Sequence, residues 1–388
     1  MNGAALPLVM RTLRREGAMP RVELARRLGL DRSTVTHVVN YLIGAGVVAE
    51  AGVTDASRRG GRRPVVLAIR DERLLAGGVE LTAERFRAVI LDNAGRLRLR
   101  TWGRNRHPAD PAAAVEAACR ALMSRAARAR LVPFAVGVAL PGIVDPRRSL
   151  LVRSDALRVG DVPIANQTVG AGVNRDPVPV MVDNDANCFA WGELHPAPGA
   201  TGNAGPADLL CVLGRRTGDL FTVGLGLVAG GTVYRGRRFR AGEFFSVKAK
   251  PGGGPQFGVS PELLRSVPHD AAASARVVGE LMEGLGPLIG ALDPARLVLG
   301  GELRGARDQV VRALCSRPAL QVVSAAMEPV EVAVTRWGRD DVCAGAAGMV
   351  FEQLFACDAI DRGPLPDGVT WRDAFASVEA PCPLEDAR

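Results

Sequence analysis

The chain lacks the features that would place it in a membrane or build it around a metal. No apolar run approaches the roughly 18 residues needed to cross a bilayer, and the start has no short apolar segment typical of a signal peptide. The seven cysteines stand singly, without a Cys-x-x-Cys pair, and the four histidines are isolated. Neither a disulfide framework nor a zinc cluster is therefore expected. We expect a cytoplasmic protein with no membrane segment, no metal and no cofactor.

Lysine is nearly absent as well, occurring only at positions 248 and 250, so arginine carries almost all of the positive charge. The formal net charge is +8, and residues 1–73 hold thirteen arginines against seven acidic residues. Most of the excess thus lies in less than a fifth of the chain. A basic segment can simply be a solvated face, but it favours nucleic-acid binding when a DNA-binding pattern coincides with it.

The strongest candidate site follows an apolar run at residues 178–182. Asp183, Asn184, Asp185 and Asn187 come next, and a plausible helix continues from them. A buried parallel strand delivers polar groups in this way to a crevice at its carboxyl end. Asp183 or Asp185 could merely cap the next helix. Capping needs only one short polar residue, whereas two carboxylates with two carboxamides favour a site that binds hydroxyl groups.

A predicted pair of helices lies near the start of the chain. Residues 21–28 have apolar positions at helical spacing, and Gly29 then permits a sharp turn. Leu30 can fill the gap between the two helices, and Asp31 or Ser33 can cap the second. This arrangement is typical of a helix-turn-helix.

The second helix of the pair, about residues 32–43, has two different faces. The apolar face contains Val35, Val38 or Val39, and Leu42. The other face carries Arg32, Ser33, Thr34, Thr36, His37 and Asn40. Side chains of this kind can hydrogen-bond base edges in a major groove, although an ordinary solvated helix face is the alternative.

Two short apolar runs, at 46–50 and 65–69, flank a Gly- and Arg-rich loop that contains Arg62 and Arg63. This pattern predicts a two-stranded wing. Arginines on such a loop can contact phosphates or enter a narrow minor groove, where the potential is most negative. Residues 1–73 are therefore interpreted as a winged helix-turn-helix domain that binds double-stranded DNA.

The rest of the chain alternates predicted strands and helices. Strands are expected at 75–81, 86–92, 97–102, 134–139, 209–213, 221–228, 297–301 and 330–334, and helices at 111–128, 271–292 and 342–356. Gly142 follows the fourth strand, where it could form only a turn or let the backbone approach a ligand. The tail, residues 358–388, has no clear period, which predicts partial disorder.

Together these segments resemble the ROK family of repressors, open-reading-frame proteins and sugar kinases over about residues 5–356. The most specific segments are Leu-Pro-Gly-Ile-Val-Asp at 140–145, Asp-Asn-Asp-Ala-Asn at 183–187 with Gly-Glu at 192–193, Tyr-Arg-Gly at 234–236 leading to Ala-Gly-Glu at 241–243, and Leu-Gly-Gly at 299–301. The resemblance implies an α/β fold, the two-lobed actin-like ATPase (ribonuclease H-like) fold. Its expected parts are a DNA-binding domain at 1–73, lobes at 74–184 and 185–345, and a C-terminal helix and tail at 346–388.

The same resemblance assigns roles to four positions. Asn184 and Asp185 would hold sugar hydroxyls, and Asp185 matches the base of the kinase members. Glu243 would contact the sugar near its anomeric end, and Gly142 would lie beside the ring. A carboxylate suits either role of Asp185, because an acceptor for a hydroxyl hydrogen is also a candidate general base.

Two departures from the family pattern favour its repressor branch. Kinase members have an Asp-x-Gly-Gly-Thr strand end, but residues 78–82 read Gly-Val-Glu-Leu-Thr, and residues 220–223 replace a Gly-Thr-Gly run. Backbone contacts to phosphate need glycine there, so no ATP binding and no kinase activity are predicted. Ser246 stands where the family has a histidine, and residues 247–270 contain no cysteine, so no zinc site is predicted.

The sequence thus predicts a sugar-responsive transcriptional regulator, a repressor rather than an enzyme, that acts as a homodimer or homotetramer. Its operator contacts would come from Arg32, Ser33, Thr34, Thr36, His37, Arg62 and Arg63, and its small carbohydrate effector would contact Gly142, Asn184, Asp185 and Glu243. One alternative is a carbohydrate kinase with a regulatory DNA-binding head, which Asp185 favours. Another is a DNA-binding regulator that has lost its sugar effector, which Ser246 favours.

Overall fold

The computed structural model describes residues 4–53, 64–170, 176–195, 207–250, 255–267, 269–316, 330–365 and 368–379. Its first part contains three helices, α1 (Ala5–Glu16), α2 (Arg21–Leu28) and α3 (Arg32–Gly44). Three antiparallel strands accompany them in the order β1 (Met19–Pro20), β3 (Val65–Ile69) and β2 (Val48–Val53). Both predicted helices and both predicted wing strands are confirmed, whereas α1 was not predicted.

The turn between α2 and α3 follows the predicted chemistry in part. Gly29 has φ 62° and ends α2, and half-buried Leu30 packs against the hydrophobic core. Asp31 occupies the position before α3, but no side-chain hydrogen bond caps this helix. The expectation that Asp31 or Ser33 would cap it is therefore wrong. The amide of Val35 instead bonds to the carbonyl oxygen of Asp31, as in any first helical turn.

A six-stranded sheet forms the next layer, and α4 (Pro111–Arg128) covers one of its faces. The strand order is β11 (Gln167–Val169), β12 (Pro177–Asn184), β7 (Ala135–Leu140), β4 (Leu75–Leu81), β5 (Arg85–Asp92) and β6 (Leu97–Arg104). A small antiparallel sheet of β8 (Ile143–Asp145), β9 (Leu150–Ser154) and β10 (Val159–Pro163) is attached beside it. Strands β12, β7 and β4 run parallel, so their carboxyl ends meet at one edge.

The second sheet has five strands in the order β15 (Thr232–Val233), β14 (Leu220–Ala229), β13 (Leu209–Thr217), β16 (Arg296–Gly301) and β17 (Glu331–Val334). Its outer face packs against helices α6 (Pro261–Ser266), α7 (Ala271–Leu292) and α8 (Arg307–Cys315). Short 3₁₀ turns occur at Asp71–Arg73, Glu302–Ala306 and Gly338–Asp340. None of the helices in the described ranges has the length and apolarity that crossing a membrane requires.

Two helices lie between the sheets, α5 (Asp185–Leu194) on the second sheet and α9 (Asp341–Phe355) on the first. Glycines allow this close packing. A Cβ atom on Gly78 would lie 1.9 Å from the carbonyl oxygen of Cys343, and one on Gly345 would lie 1.8 Å from that of Cys188. The predicted domain boundary between 345 and 346 falls inside α9.

The last described helix, α10 (Trp371–Glu379), corrects the expected disorder of the tail for residues 371–379. Trp371 is fully buried, and its ring meets that of Phe355 edge to face with centroids 5.1 Å apart. Phe375 makes a similar contact with Tyr41 of α3, at 5.7 Å. A short amphipathic segment of this kind has too few residues for a clear sequence period, but the apolar surface it buries is enough to order it.

Candidate functional site

The predicted cluster at the end of β12 forms a helix cap and the wall of a cleft. Asn184, not an aspartate, caps α5: its Oδ1 accepts hydrogen bonds from the amides of Ala186 at 2.9 Å and Asn187 at 3.2 Å. Asp185 is the first residue of the helix itself. The alternative that Asp183 or Asp185 serves as the cap is therefore wrong, because the strand continues one residue further than a cap at Asp183 would allow.

Asn184 also binds the loop that carries Gly142. Its Nδ2 donates to the carbonyl oxygen of Gly142 at 2.7 Å. Gly142 has φ 113°, and a Cβ atom there would lie 2.2 Å from the carbonyl oxygen of Arg153. The structure thus brings these two predicted residues together, and chain geometry alone already requires glycine at position 142.

Asp183 is fully buried and makes only internal contacts. Its Oδ2 accepts from Arg235 Nη2 at 2.6 Å and Nε at 2.9 Å, and its Oδ1 accepts from Asn187 Nδ2 at 2.9 Å. The Arg235 guanidinium also lies 5.5 Å from the centre of the Trp191 ring. Both Arg235 nitrogens donate to the same carboxylate oxygen, and such charge-assisted hydrogen bonds are strong, so Asp183 and Arg235 fix the strand end to the segment after β15.

Asp185 belongs to a second ion network, which the sequence did not reveal. Arg215, near the end of β13, donates through Nη1 to Glu80 Oε1, and its Nε lies 3.3 Å from Asp185 Oδ2. The side chains of Glu80, Asp185 and Arg215 are 5%, 15% and 21% exposed. This network joins the first sheet, helix α5 and the second sheet at the edge where β4 and β12 end.

The pKa values of this network reflect burial opposed by charge. Burial would lower the pKa of Arg215, but the Glu80 and Asp185 carboxylates raise it above its usual value. Burial raises the pKa of Asp185, and the Arg215 guanidinium partly offsets the rise. Arg215 and the backbone amide of Ala186 therefore both favour the charged form of the Asp185 carboxyl group.

The cleft beside Asp185 is narrow. A cavity of about 40 Å³ borders Asp185, Arg215, Thr82 and Pro141. Small-molecule sites usually have volumes of about 300–1,000 Å³, so a sugar would need the two sheets to separate here. Breaking the contacts of Arg215 with Glu80 or Asp185 would accompany that opening.

Glu243, the fourth predicted sugar residue, lies beside strand β14 of the second sheet. It is exposed and forms an isolated β-bridge with Gly224 of β14. Desolvation of its carboxyl group by neighbouring atoms raises the pKa of Glu243, and the Asp185 carboxylate raises it further.

Ser246 forms hydrogen bonds with the backbone of its own loop. Its amide donates to the carbonyl oxygen of Gln256 at 2.8 Å, and its Oγ accepts from the amide of Lys248 at 3.0 Å. Gln256 in turn binds both backbone groups of Val223 through its side chain. In the ranges that the structure describes, no three His, Cys, Asp or Glu side chains come together as a metal site.

Comparison with known proteins places this cleft in a family. The family model described as "ROK family" matches residues 76–253, which include β4 apart from Leu75, the Asp183 cluster and Glu243. The match is to a ROK family domain that covers just under half of the chain.

Named relatives and solved structures fall into two groups. A putative xylose repressor of Caldicellulosiruptor sp. (strain Rt8B.4) is 26% identical over 61% of this chain and 56% of that protein, so the match spans little more than half of the relative. The crystal structure of a ROK family transcriptional regulator, a homolog of the E. coli MLC protein, superposes over 96% of this chain and 99% of its own, with TM-score 0.67 and 16% identity. A ROK hexokinase from Thermus thermophilus covers 71% of this chain and 97% of its own, with TM-score 0.52 and 24% identity. At these identities the structures establish the fold alone.

The residues expected to meet DNA lie away from the ROK domain cleft. On α3, Arg32, Ser33, Thr36 and His37 are exposed and Thr34 is half-buried. The opposite face, with Val35, Val38, Val39 and Leu42, is buried as predicted. Thr36 bonds the carbonyl oxygen of Arg32 through its hydroxyl. Arg62 and Arg63 lie outside the described residues.

A buried cluster joins the ROK domain to α1. Arg14 donates to His195 Nδ1 at 3.3 Å and to the Glu352 carboxylate, and its guanidinium lies 4.2 Å from the centre of the Phe355 ring. His195 directly follows α5 and stacks on Phe351 with ring centroids 5.1 Å apart. Burial lowers the pKa of His195, and the Glu352 carboxylate partly offsets this effect. Since an arginine can only donate, a neutral ring with its acceptor at Nδ1 suits the contact with Arg14.

The sequence showed no sign of this cluster. His195 was one of four isolated histidines, and α1 itself was not predicted. Arg215 gave a weak signal, since Arg215 and Arg216 lie close to the end of β13 and place charge at the edge of a crevice. Of the two partners of Arg215, Asp185 was predicted as a sugar residue, and Glu80 was noticed only as a departure from the kinase pattern.

Proposed function

We propose that this protein is a sugar-responsive transcriptional regulator, a repressor, whose first 73 residues bind a double-stranded DNA operator. The observation that carries the proposal is the course of α5. This helix begins at the cleft with Asp185, and His195, which directly follows its last residue, contacts Arg14 of the DNA-binding part. Two comparisons support the proposal: one relative is named as a putative xylose repressor, and the fold resembles that of a ROK family transcriptional regulator over nearly the whole chain.

The DNA-binding part is a winged helix-turn-helix in this proposal. Helix α3 enters the major groove, where Arg32, Ser33, Thr34, Thr36 and His37 meet base edges and phosphates. Arg62 and Arg63 of the wing contact the adjacent minor groove or phosphates. A homodimer or homotetramer in the cytoplasm would present two such domains to half-sites about one helical turn apart, or a multiple of it.

The effector in this proposal is a small neutral carbohydrate in the ROK cleft. Asp185 and Glu243 accept hydrogen bonds from its hydroxyl groups. Asn184 donates through the Nδ2 hydrogen that does not bond to Gly142, and Gly142 borders the ring. Binding separates the Arg215 network, so the effector stabilises an open arrangement of the sheets. Since α5 spans the distance to Arg14, its displacement changes the orientation of the DNA-binding part. A coupling of about 1–3 kcal/mol, roughly 5- to 150-fold in operator affinity, is the usual range.

A second candidate function, carbohydrate kinase, is favoured by Asp185 and by the likeness to a ROK hexokinase. The Arg215 network opposes it. Glu80 stands where kinase members have the first glycine of the Asp-x-Gly-Gly-Thr strand end, and its carboxylate binds Arg215 instead of leaving room for phosphates. Asp185, which matches the catalytic base of the kinase members, is also paired, because Arg215 Nε lies 3.3 Å from its Oδ2 atom. We therefore propose that the protein is not an enzyme.

Thermal unfolding against a panel of neutral mono- and disaccharides, their phosphates, and ATP with magnesium tests the proposal. One neutral sugar should raise the unfolding midpoint, because a ligand that binds only the folded state stabilises it by mass action. Asp185→Ala should abolish that shift, whereas Asp308→Ala, a matched change of an exposed carboxylate on α8, should not. The same sugar should weaken operator binding in a fluorescence anisotropy titration.

Other outcomes would select the rival functions. A shift with ATP and magnesium alone, together with turnover of an added sugar, would establish the kinase. Operator binding without a shift from any sugar would point to a regulator that has lost its sugar effector and responds to a protein partner.

A further inference from the structure

A cationic groove with an exposed tryptophan lies outside the cleft and has no role in the proposed function. It is a cavity of about 570 Å³ between β5, β6 and the turn that precedes α9. We call it the arginine–tryptophan groove, and its lining includes Arg85, Arg87, Arg100, Trp102, Trp337 and Arg339. Its volume is within the usual range for small-molecule sites.

Strand register explains how the groove collects these side chains. Arg87 pairs directly with Trp102 across β5 and β6, and directly opposed residues share one face of a sheet. Arg85 and Arg100 lie two residues away from this pair on their own strands, so they project on the same side. Strand β6 is at the edge of the sheet, so this face of the strand is open beside the turn that precedes α9.

The groove carries an excess of unpaired positive charge. Asp340 is its one carboxylate in the described lining, and Arg100 is paired with it. Arg87 donates to the backbone carbonyl of Arg339 at 2.6 Å, which orients both residues without neutralising either. No described carboxylate forms an ion pair with Arg85, Arg87 or Arg339. Guanidinium groups converging in this way match phosphate oxygens in charge and geometry.

Trp102 supplies a surface for an aromatic ring. It is 77% exposed, the largest exposure of any tryptophan here, while Trp191 and Trp371 are buried. Trp337 on the other wall is fixed, because its Nε1 donates to the carbonyl oxygen of Gly192 at 3.0 Å and the Arg336 guanidinium lies 4.6 Å from its ring centre. A wide exposed indole beside several guanidinium groups suits a planar base attached to a phosphate chain.

We propose that the arginine–tryptophan groove binds a nucleoside di- or triphosphate, with its phosphates on Arg85, Arg87 and Arg339 and its base stacked on Trp102. The base identity is not fixed by this arrangement, since every base presents a π face. Through Gly192, the site also contacts α5, the helix that the proposed effector displaces. A sugar phosphate would contact the arginines but would not stack on the Trp102 indole. The phosphate groups of DNA would contact the same arginines at the surface of the groove.

Isothermal titration of the full-length protein with ADP in metal-free buffer tests this proposal, with pyrophosphate and adenosine as partial ligands. ADP should bind more tightly than pyrophosphate by about tenfold or more, the usual contribution of one stacked base. Arg87→Ala and Arg339→Ala should each weaken ADP by about tenfold or more, because each removes charge-assisted hydrogen bonds. Trp102→Ala should weaken ADP but leave pyrophosphate unchanged.

Arg276→Ala is the matched control, since it removes one exposed arginine from α7, far along the chain from the groove, and ADP affinity should not change. Far-ultraviolet circular dichroism checks that each variant is folded. Equal affinities for ADP and pyrophosphate, or ADP binding that ignores the groove variants, would overturn the proposal. The proposal would also fail if the parent protein did not bind ADP and Arg87→Ala lost operator binding, because the groove would then be a DNA contact. A change in the oligomeric state of Trp102→Ala, measured by sedimentation, would likewise overturn it, because the groove would then be a contact between subunits.

Discussion

Arg215 is the single residue that most affects the chemistry of the cleft. Its guanidinium neutralises two carboxylates from different parts of the chain, Glu80 and Asp185, where the resemblance to kinases would place phosphates and a base. Replacing a buried ion pair by apolar groups is often tolerated, whereas removing one partner leaves an uncompensated charge. Arg215 thus joins β4 to α5 across the cleft, and in the proposed function the same contacts leave no room for phosphates.

Arg215→Met should destabilise the protein by about 3–5 kcal/mol, since both carboxylates lose their cation while remaining buried. The double variant Glu80→Gln with Arg215→Met should recover part of the loss. Urea unfolding of both variants measures the two values. Arg276→Met, on the exposed surface, should change the free energy of unfolding by less than about 0.5 kcal/mol.

The pH dependence of the same variant follows from Asp185. Arg215 lowers the pKa of Asp185, so without it the folded-state value rises further above that of the unfolded chain. A raised carboxyl pKa stabilises the folded state at low pH, and this contribution is lost as pH rises through the folded value. The deficit of Arg215→Met should therefore be larger at pH 8 than at pH 5, and an equal deficit would contradict this account.

Helix α10 (Trp371–Glu379) shows how a short element can attach one part of the chain to another. Trp371 packs on Phe355 of α9, and Phe375 packs on Tyr41 of α3. Arg73, next to the wing strand β3, donates to the carbonyl oxygen of Val378 at 2.8 Å. The C-terminal helix α10 therefore packs against α3, the helix proposed to contact DNA, and supports it.

Trp371→Ala should cost about 3–5 kcal/mol of unfolding free energy, because it removes a large, fully buried ring. It should also weaken operator binding, since the support behind Tyr41 is lost. Arg372→Ala is the control in the same helix: its side chain is 75% exposed, and its ion pair with Asp361 contributes little. Urea unfolding and fluorescence anisotropy compare the two variants. Equal losses in both would mean that α10 does not support α3.

At the scale of the whole molecule, one hydrophobic core joins α1, α3, α5, α9 and α10. It contains residues of the part proposed to bind DNA, such as Leu6 and Met10, together with Phe351 of α9 and Phe189 of α5. A core shared in this way transmits displacement because close-packed side chains do not deform continuously. The Arg14 cluster is the polar point of contact within it.

Replacing Arg14 by Met together with Glu352→Gln should preserve operator binding but reduce its response to the sugar. Removing both charges avoids an unpaired buried carboxylate, so the fold is retained. The ratio of operator affinities without and with sugar should fall from the usual range of about 5–150 toward 1. Anisotropy titrations with the sugar found by thermal unfolding measure this ratio.

Arg11→Met is the matched control, because Arg11 lies one turn away on α1 and contacts Cys357 and Asp358 rather than α5. Its sugar response should equal that of the parent. An undiminished response in the Arg14 double variant would show that the signal takes another course through the core.

The sequence by itself determined most of the local structure. Asp110 and Pro111 specify the start of α4, Gly29 specifies the turn before α3, and the period of Val35, Val38, Val39 and Leu42 specifies the buried face of that helix. These features depend on residues within one or two turns of each other, so their patterns are visible in the chain. The family resemblance added the order of the lobes and the neighbourhood of Asn184 and Asp185.

The tertiary structure alone decided which charges meet. The bond from Asn184 to Gly142 spans 42 positions, the pair of Arg215 with Glu80 spans 135, and the contact of Arg14 with His195 spans 181. No local period encodes such pairs, because each partner obeys only the pattern of its own strand or helix. Their pairing follows from the way two sheets pack on α5 and α9, and that packing is fixed by burial over the whole chain.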